Sequence, residues 1–361
     1  MGPLLPDDGS AKRRYIRRAR GIVAEGLAFA LVTVLLPVLL AGAVLTDLAL
    51  WLRARKPWMA TRLILFAWWF LAGELLGMLA LLVTWLSTGG PLRADSPRRR
   101  RWVYRTRIRW ATGHFSGIRV LFGLRLEVDG LDQAGPGPVL VFIRHASIID
   151  NAMPDAVIGR AHGIGLRFVL KRELEMIPTI DIGGRMVPTN FVRRASRDPD
   201  AELATLRRLA RALGPDEGVL IYPEGTRHTA SKLAKAQATI ADRQPHIAPF
   251  ANRLRHVLPP RLGGPLALLD EADGRADVVF CGHVGLDGFE YISDIWSGGL
   301  VGTTVRVKFW RHAASTIPSG EDDRVAWLYE HWQVLDDWIG VQRAELGSSG
   351  LPPKAAAALA G

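Results

Sequence analysis

Cysteine is almost missing: Cys281 is the one thiol in 361 residues. No internal disulfide can form, which suits a reducing compartment, and no thiolate cluster can hold a structural zinc. The chain also lacks a Gly-x-x-x-x-Gly-Lys-Ser/Thr phosphate loop and a Gly-x-Ser-x-Gly nucleophile turn. P-loop nucleotide hydrolysis and serine-hydrolase chemistry of that type are therefore set aside. Charge is scarce over two long stretches. Residues 21–52 carry only Glu25 and Asp47, and residues 63–90 carry only Glu74. Each run exceeds the roughly 20 residues that cross a bilayer core. The first is too long for a secretory leader, lacks a small-residue cleavage site and is followed by the second.

What the apolar runs lack is concentrated beside them. The formal net charge is +11. Lys12, Arg13, Arg14, Arg17, Arg18 and Arg20 precede the first run, and eight arginines from Arg93 to Arg109 follow the second. Such flanks favour anionic headgroups and the cytoplasmic side, so the sequence predicts a hairpin with both ends inside. The link between the runs is also basic (Arg53, Arg55, Lys56, Arg62) and Pro37 interrupts the first. A spanning hairpin and one buried in a single leaflet both stay open. Trp51, Trp58, Trp85, Trp102 and Trp110 fall near the interfaces in either case. The organisation read from these patterns is a basic tail at 1–20, a membrane-embedded two-helix hairpin at 21–90, a basic surface connector at 91–114, a catalytic domain at 115–345 and a flexible Ala-rich tail at 346–361.

Within 115–345, short apolar runs alternate with helical patterns. Val139–Ile143, Leu166–Leu170, Gly218–Tyr222, Asp277–Val284 and Thr303–Trp310 read as strands. Residues 198–213 and 322–343 read as helices. The alternation predicts an α/β fold with a mixed, mostly parallel sheet flanked by helices.

Chemistry gathers where these strands end. His145 follows the first strand and Asp150 lies five residues on. An imidazole can take the proton of an attacking hydroxyl, and a carboxylate on its other nitrogen fixes the tautomer. A second His-x-x-x-x-Asp, His331 to Asp336, lies inside the last predicted helix. There, five residues at 100° each turn the two side chains about 140° apart, so they should not meet. Ser147 reads as a helix-start residue. After the third strand come Glu224, Gly225, Thr226 and Arg227. Gly225 permits a tight turn, Arg227 offers paired donors and Thr226 a hydroxyl. Glu224 can accept from a substrate hydroxyl or hold a cation in place. Lys171 ends the second strand, and Arg193 and Arg194 follow a further extended piece; at least one of that pair fits a solvated surface arginine. Ligands of open α/β sheets collect beyond the carboxyl ends of strands, where these residues lie.

These motifs resemble the lysophosphatidate acyltransferase family, the PlsC-like glycerolipid acyltransferases. His145 to Asp150 match its His-x-x-x-x-Asp block, with Arg144 where the family has Asn. Lys171 to Leu174 match Lys-x-Glu-Leu. Gly184 through Arg194 are similar to the second block, which puts the family's phosphate-binding arginine at Arg194. Pro223 to Arg227 match Pro-Glu-Gly-Thr-Arg without change, and Val257 to Arg261, with Pro259 and Pro260, resemble the Pro-containing fourth block. The resemblance covers roughly 115–345. It implies a membrane-bound acyltransferase that moves an acyl group from acyl-CoA or acyl carrier protein to a lysophospholipid hydroxyl, 1-acyl-glycerol-3-phosphate foremost. His145 is then the base, Asp150 its orienter, and Lys171, Arg194 and Glu224–Arg227 the phosphate site. It implies an acyl-chain slot and no metal or redox cofactor. Membrane phospholipids and the acyl carrier are the partners, and nucleic acid is not one. The domain would sit on the cytoplasmic face of the cell membrane. Glycerol-3-phosphate, another lysophospholipid or a glycolipid is the alternative acceptor. A non-catalytic scaffold, or a protein binding anionic membranes or nucleic acid through Arg98–Arg109 and Trp102, is the alternative class.

Overall fold

A computed structural model describes residues 10–93, 95–192, 199–289 and 292–347. Two long helices lead, α1 (Ala11–Ala54) and α2 (Met59–Ser87). Their antiparallel pairing is fixed by Asp47, whose carboxylate accepts from the backbone N–H of Ala60 and of Thr61 at 2.9 and 2.8 Å. That side chain caps the start of α2, where Trp58 supplies none. Further along, Trp68 donates to the Thr33 hydroxyl at 3.0 Å. Both helices leave rows of apolar side chains uncovered, among them Leu27, Leu31, Val34 and Val38 on α1 and Leu76, Leu79, Leu82 and Leu86 on α2. A core helix would bury these, whereas a membrane solvates them. The hairpin is a membrane element.

The basic tail predicted at 1–20 is replaced, from residue 11 on, by helix. Ser10 Oγ accepts from Arg13 N at 3.3 Å, and the basic residues form the first turns of α1. Residues 1–9 and 348–361 lie outside the described residues. The predicted connector is likewise helical: α3 (Pro97–Phe122), capped by Ser96, runs on into the domain. Several of its arginines face inward. Arg99 bonds Thr88 Oγ1 at 2.9 Å, Arg100 pairs with Asp95, and Arg107 holds Asp155 at 2.9 and 3.0 Å and the Leu166 carbonyl at 2.7 Å. Arg98, Arg101, Arg105 and Arg109 stay exposed, at spacings that put them along one helix face.

α3 lies along α2 through a seam of small residues. A Cβ on Gly73 would stand 2.6 Å from the His114 ring, one on Gly77 2.7 Å from Trp110, and one on Gly117 2.3 Å from Trp69. Within this seam Glu74, fully buried, accepts from Trp110 Nε1 at 3.1 Å and from the Thr179 hydroxyl, with His114 Nε2 3.3 Å away. The one charge of the second apolar run thus fastens the hairpin to the domain.

The domain strands are β1 (Arg125–Asp129), β2 (Val139–Ile143), β3 (Gly165–Lys171), β4 (Asn190–Val192), β5 (Glu217–Ile221), β6 (Asp277–Val284) and β7 (Thr304–His312). Between them run α4 (Pro178–Gly184), α5 (Pro199–Ala210), α6 (Ala230–Arg243) and α7 (Gly263–Ala272), and α8 (Glu321–Leu346) closes the described chain. The sheet order is β1-β7-β6-β2-β5-β3-β4. All neighbours are parallel except β6 and β7, so β1 and β7 run against the other strands. This is the mixed, mostly parallel sheet that the alternation predicted. β2 is buried on both faces: Val139, Val141 and Ile143 join the core under α3, and Leu140 and Phe142 join the core under α5, α7 and α8.

Replacing Gly117 with Val should overpack the seam against Trp69 and destabilise the protein by about 1–3 kcal/mol. The expected readout is a lower midpoint of thermal unfolding in detergent; an unchanged midpoint would show that α2 and α3 are not held by this close approach.

Candidate functional site

Three neighbouring strands, β2, β5 and β3, end side by side, with adjacent tips about 4.8 Å apart. From β2 the chain passes through Arg144, whose N–H donates to the Cys281 carbonyl, and then turns at His145. The turn closes on Asp150. Its Oδ2 faces His145 Nδ1 at 3.1 Å and accepts from the N–H of Ala146 and Ser147 at 2.6 and 2.7 Å. Two main-chain donors fix the carboxylate, and the carboxylate fixes the ring. Burial alone would raise the Asp150 carboxyl, but His283, the His145 hydrogen bond and the Ser147 amide outweigh it and hold it below the ordinary range. The imidazole lies against the Tyr222 ring at 4.4 Å between centroids, and the Tyr222 hydroxyl donates to the Asp150 carbonyl at 3.1 Å. With Nδ1–H directed at Asp150, Nε2 is the basic nitrogen. Ser147 Oγ donates to the Phe289 carbonyl and accepts from Ile149 N, as a turn-forming residue does.

Beyond β5, Gly225 takes a φ of +66°, a left-handed conformation that suits glycine, and its N–H returns to the Tyr222 carbonyl at 2.9 Å. Thr226 and Arg227 follow, half-buried. His228 N donates to the His145 carbonyl at 3.0 Å, so this turn and the His145 turn form one wall. Lys171 stands exposed at the tip of β3. The phosphate-site assignment at Arg194, and its neighbour Arg193, lies outside the described residues; β4 ends at Val192.

Glu224 departs from the expected phosphate-site role. It is buried, Oε1 accepts from His145 N at 3.0 Å and Oε2 accepts from Leu258 N at 3.1 Å. Both oxygens therefore serve the backbone, tying His145 and the Pro259–Pro260 segment to the turn. Burial pushes its carboxyl up to about 8, against the pull of Arg144 and of the two amides. Pro259 and Pro260 are buried. Leu258 O accepts from Trp332 Nε1 at 3.0 Å, and Arg261 N donates to the Pro223 carbonyl at 2.8 Å.

Several contributors escaped the motif reading. Arg144, fully buried, directs its donors to the His283 carbonyl at 2.6 Å and to Asp287, which also takes Arg343 at 2.6 Å. The two guanidinium groups outweigh burial and keep Asp287 ionised. His283 Nε2 lies 3.0 Å from the Arg144 carbonyl and 3.7 Å from Asp150 Oδ2. The available signal was position: His283 and Asp287 sit at the carboxyl end of β6, beside β2. As helix geometry requires, His331 and Asp336 have separate partners. His331 stacks on His312 at 3.8 Å, while Asp336 accepts from the amides of Arg255, His256 and Val257.

A family model described as Acyltransferase matches residues 125–252, which include the His145 and Glu224–Arg227 turns. The chain is 23% identical over 246 residues to the mouse 1-acyl-sn-glycerol-3-phosphate acyltransferase epsilon, covering 65% of this chain and 64% of that protein. The chain thus spans just under two thirds of the length of the curated relative it matches. It is also similar to the crystal structure of the 1-acyl-sn-glycerophosphate acyltransferase PlsC from Thermotoga maritima. That match has 16% identity and a TM-score of 0.44, over 75% of this chain and 98% of the other.

A carboxyl with a pKa raised in the fold binds its proton more tightly when folded. Glu224 should therefore favour folding at low pH, and that benefit should drain away as pH climbs from about 4.5 towards about 8. Glu224→Gln cannot titrate and leaves one buried amide unmet, a loss of about 1–3 kcal/mol. Its thermal midpoint should be lower than wild type at pH 5, and the gap should narrow by pH 8. A gap that widens with pH would reverse the sign assigned to Glu224.

Proposed function

From the premise that this chain carries a domain of the acyltransferase family, we propose that it transfers a fatty acyl group from a thioester to the free hydroxyl of a lysophospholipid, foremost 1-acyl-sn-glycerol-3-phosphate. The observation that carries this reading is the His145–Asp150 pair, held at the tip of β2 by main-chain amides and walled by the turn of Glu224–Arg227. The acceptor oxygen attacks the thioester carbonyl while His145 Nε2 takes its proton. Asp150 stabilises the imidazolium that results. Collapse of the intermediate breaks the C–S bond, and the proton passes to the departing thiolate sulfur. The substrate hydroxyl fills the role a serine has in hydrolases, so no acyl-enzyme forms. Arg227, Thr226 and the Gly225 turn are the donors for the acceptor phosphate, with Lys171 and Arg194 as further cations. Acyl-CoA or acyl carrier protein supplies the thioester.

The membrane hairpin supports an acceptor that resides in a bilayer, as does the 1-acyl-sn-glycerol-3-phosphate in the name of the mouse relative. The exposed row of Arg98, Arg101, Arg105 and Arg109, with Trp102 beside it, suits the anionic cytoplasmic leaflet at about 1 kcal/mol per cation near the surface. Part of the arginine cluster that suggested nucleic acid is instead committed to internal bonds through Arg99, Arg100 and Arg107.

His145→Ala should lower turnover by about 10²–10⁴-fold or more with an unaltered unfolding midpoint; turnover near wild type would remove the mechanism. Arg227→Ala should raise the KM for lysophosphatidate by roughly 10–100-fold, the equivalent of about 1.5–3 kcal/mol for a charged hydrogen bond, with a smaller effect on kcat. An unaltered KM would remove the phosphate role. A screen of purified protein with labelled acyl-CoA against lysophosphatidate, glycerol-3-phosphate, other lysophospholipids and glycolipids selects the acceptor. No thioester consumption with any of them would leave a scaffold.

A further inference from the structure

One histidine stands behind the His145 turn at a place where packing does not call for one. After Asp277, β6 is apolar except for His283, its last residue but one. Alternation along a strand puts His283 on the same face as Val279 and Cys281, which belong to the core that also holds Ile149 and Met153. The ring is fully buried. Among the described residues its Nδ1 has no hydrogen-bond partner. A buried nitrogen left unmet is a loss, and an apolar side chain of similar size would avoid it. What an imidazole contributes here must come through Nε2.

Nε2 meets the main chain beyond β2. The pairing of β2 with β6 ends at Ile143 and Cys281, and Arg144 N adds one further bond, to the Cys281 carbonyl at 3.1 Å. From there side chains take over. Arg144 Nη1 donates to the His283 carbonyl at 2.6 Å, and His283 Nε2 donates to the Arg144 carbonyl at 3.0 Å. A carbonyl only accepts, so Nε2 carries the proton of the neutral ring. Each residue thus bonds the main chain of the other. The clamp is anchored in turn, because Arg144 also pairs with Asp287, and Asp287 with Arg343. Burial above all, and the Arg144 charge, hold the ring neutral against the pull of Asp150 and Asp287.

The Arg144 carbonyl belongs to the peptide that carries His145. The N–H of that same peptide donates to Glu224 Oε1 at 3.0 Å. A peptide unit is planar, and its carbonyl and N–H point to opposite sides. Held at one side only, it can pivot on that bond and carry the His145 Cα with it; held at both, it cannot. His283 Nε2 is 3.7 Å from Asp150 Oδ2, beyond hydrogen-bond length. It therefore serves the peptide and is not a further link in a His–Asp–His chain. We propose that His283 is a positioning residue for acyl transfer: its Nε2–H, opposite Glu224, fixes the peptide from which His145 projects and so the place of His145 Nε2 against the acceptor hydroxyl. The proposal rests on the reading of His145 as the base.

The test compares three substitutions in the full chain in detergent. Glutamine carries an N–H as many bonds from Cβ as His283 Nε2 is, asparagine carries one a bond closer, and leucine carries none. His283→Leu and His283→Asn should lower kcat by about 10–100-fold, the loss expected of a misplacement of about 1 Å. KM for lysophosphatidate and for acyl-CoA should stay within about twofold, as for a group that acts only on the chemical step. His283→Gln should recover most of the lost kcat. Each rate is divided by the folded fraction read from thermal unfolding, which removes a purely structural effect. If His283→Leu does not fold, the contrast between His283→Gln and His283→Asn decides. Wild-type turnover and its loss in His145→Ala are measured first and test the base reading by themselves. A second readout needs no thioester. With isotope-labelled imidazole nitrogens, the His145 Nδ1–H resonance, identified by its absence in His145→Ala, should persist in His283→Gln and broaden or vanish in His283→Asn. Equal kcat in His283→Gln and His283→Asn, a rise in KM without a fall in kcat, or an identical His145 resonance in both variants would overturn the role given to His283.

Discussion

One buried carboxylate holds the candidate centre together. Glu224 bonds the amide of His145 with one oxygen and that of Leu258 with the other. It thereby ties the ends of β2 and β5 to the segment bearing Pro259 and Pro260. Main-chain amides cannot rotate away, so two such bonds define where the His145 turn stands relative to Gly225–Arg227. The His145 turn and the Gly225–Arg227 turn come from separate segments. Only a constraint of this kind keeps them at one spacing, and acid–base chemistry tolerates little error in that spacing. Asp150 repeats the device at smaller scale, with two amides fixing the carboxylate and the carboxylate fixing the ring.

Behind this wall lies a second layer of charge. Arg144, Asp287 and Arg343 form a buried cluster at the ends of β2, β6 and α8, and His283 stands between that cluster and Asp150. Breaking one partner would leave a buried charge uncompensated, which costs far more than an exposed pair contributes. The side chain of Arg144, beside His145 in sequence, belongs to this cluster.

The strands and the His145–Asp150 contact were legible because their signals are local. β2 and β6 are continuous apolar, β-branched runs, and both begin and end where the sequence predicts. The His331–Asp336 decoy could be dismissed by helix geometry alone. β1 was not legible, because Arg125–Asp129 alternates weakly at an edge, whereas β4, the extended piece read before Arg193, is only the three residues Asn190–Val192. The task of Glu224 was hidden for another reason. Its partners are amides 79 and 34 residues away, and no residue type announces an amide. The acids within the apolar runs were hidden likewise. Asp47 and Glu74 look like interruptions in a membrane segment, yet one caps α2 and the other fastens it to α3 and α4.

That fastening bears on how an amphiphile reaches a strand tip. α3 touches α2 through Trp69, Gly73 and Gly77 on one side, and through Arg107 it holds Asp155 and the Leu166 carbonyl of β3 on the other. The membrane hairpin and the sheet are therefore linked by one continuous helix, with no intervening flexible tether among the described residues. A tether would let the domain tumble above the bilayer, and a lysolipid would then have to leave the membrane and expose its chain to water, at about 0.8 kcal/mol per methylene. A rigid mount avoids that loss by keeping the carboxyl ends of β2, β5 and β3 at a constant attitude to the lipid. On the proposed reading, the arrangement favours an acceptor that stays partly in the bilayer over a freely soluble one such as glycerol-3-phosphate, which gains nothing from it.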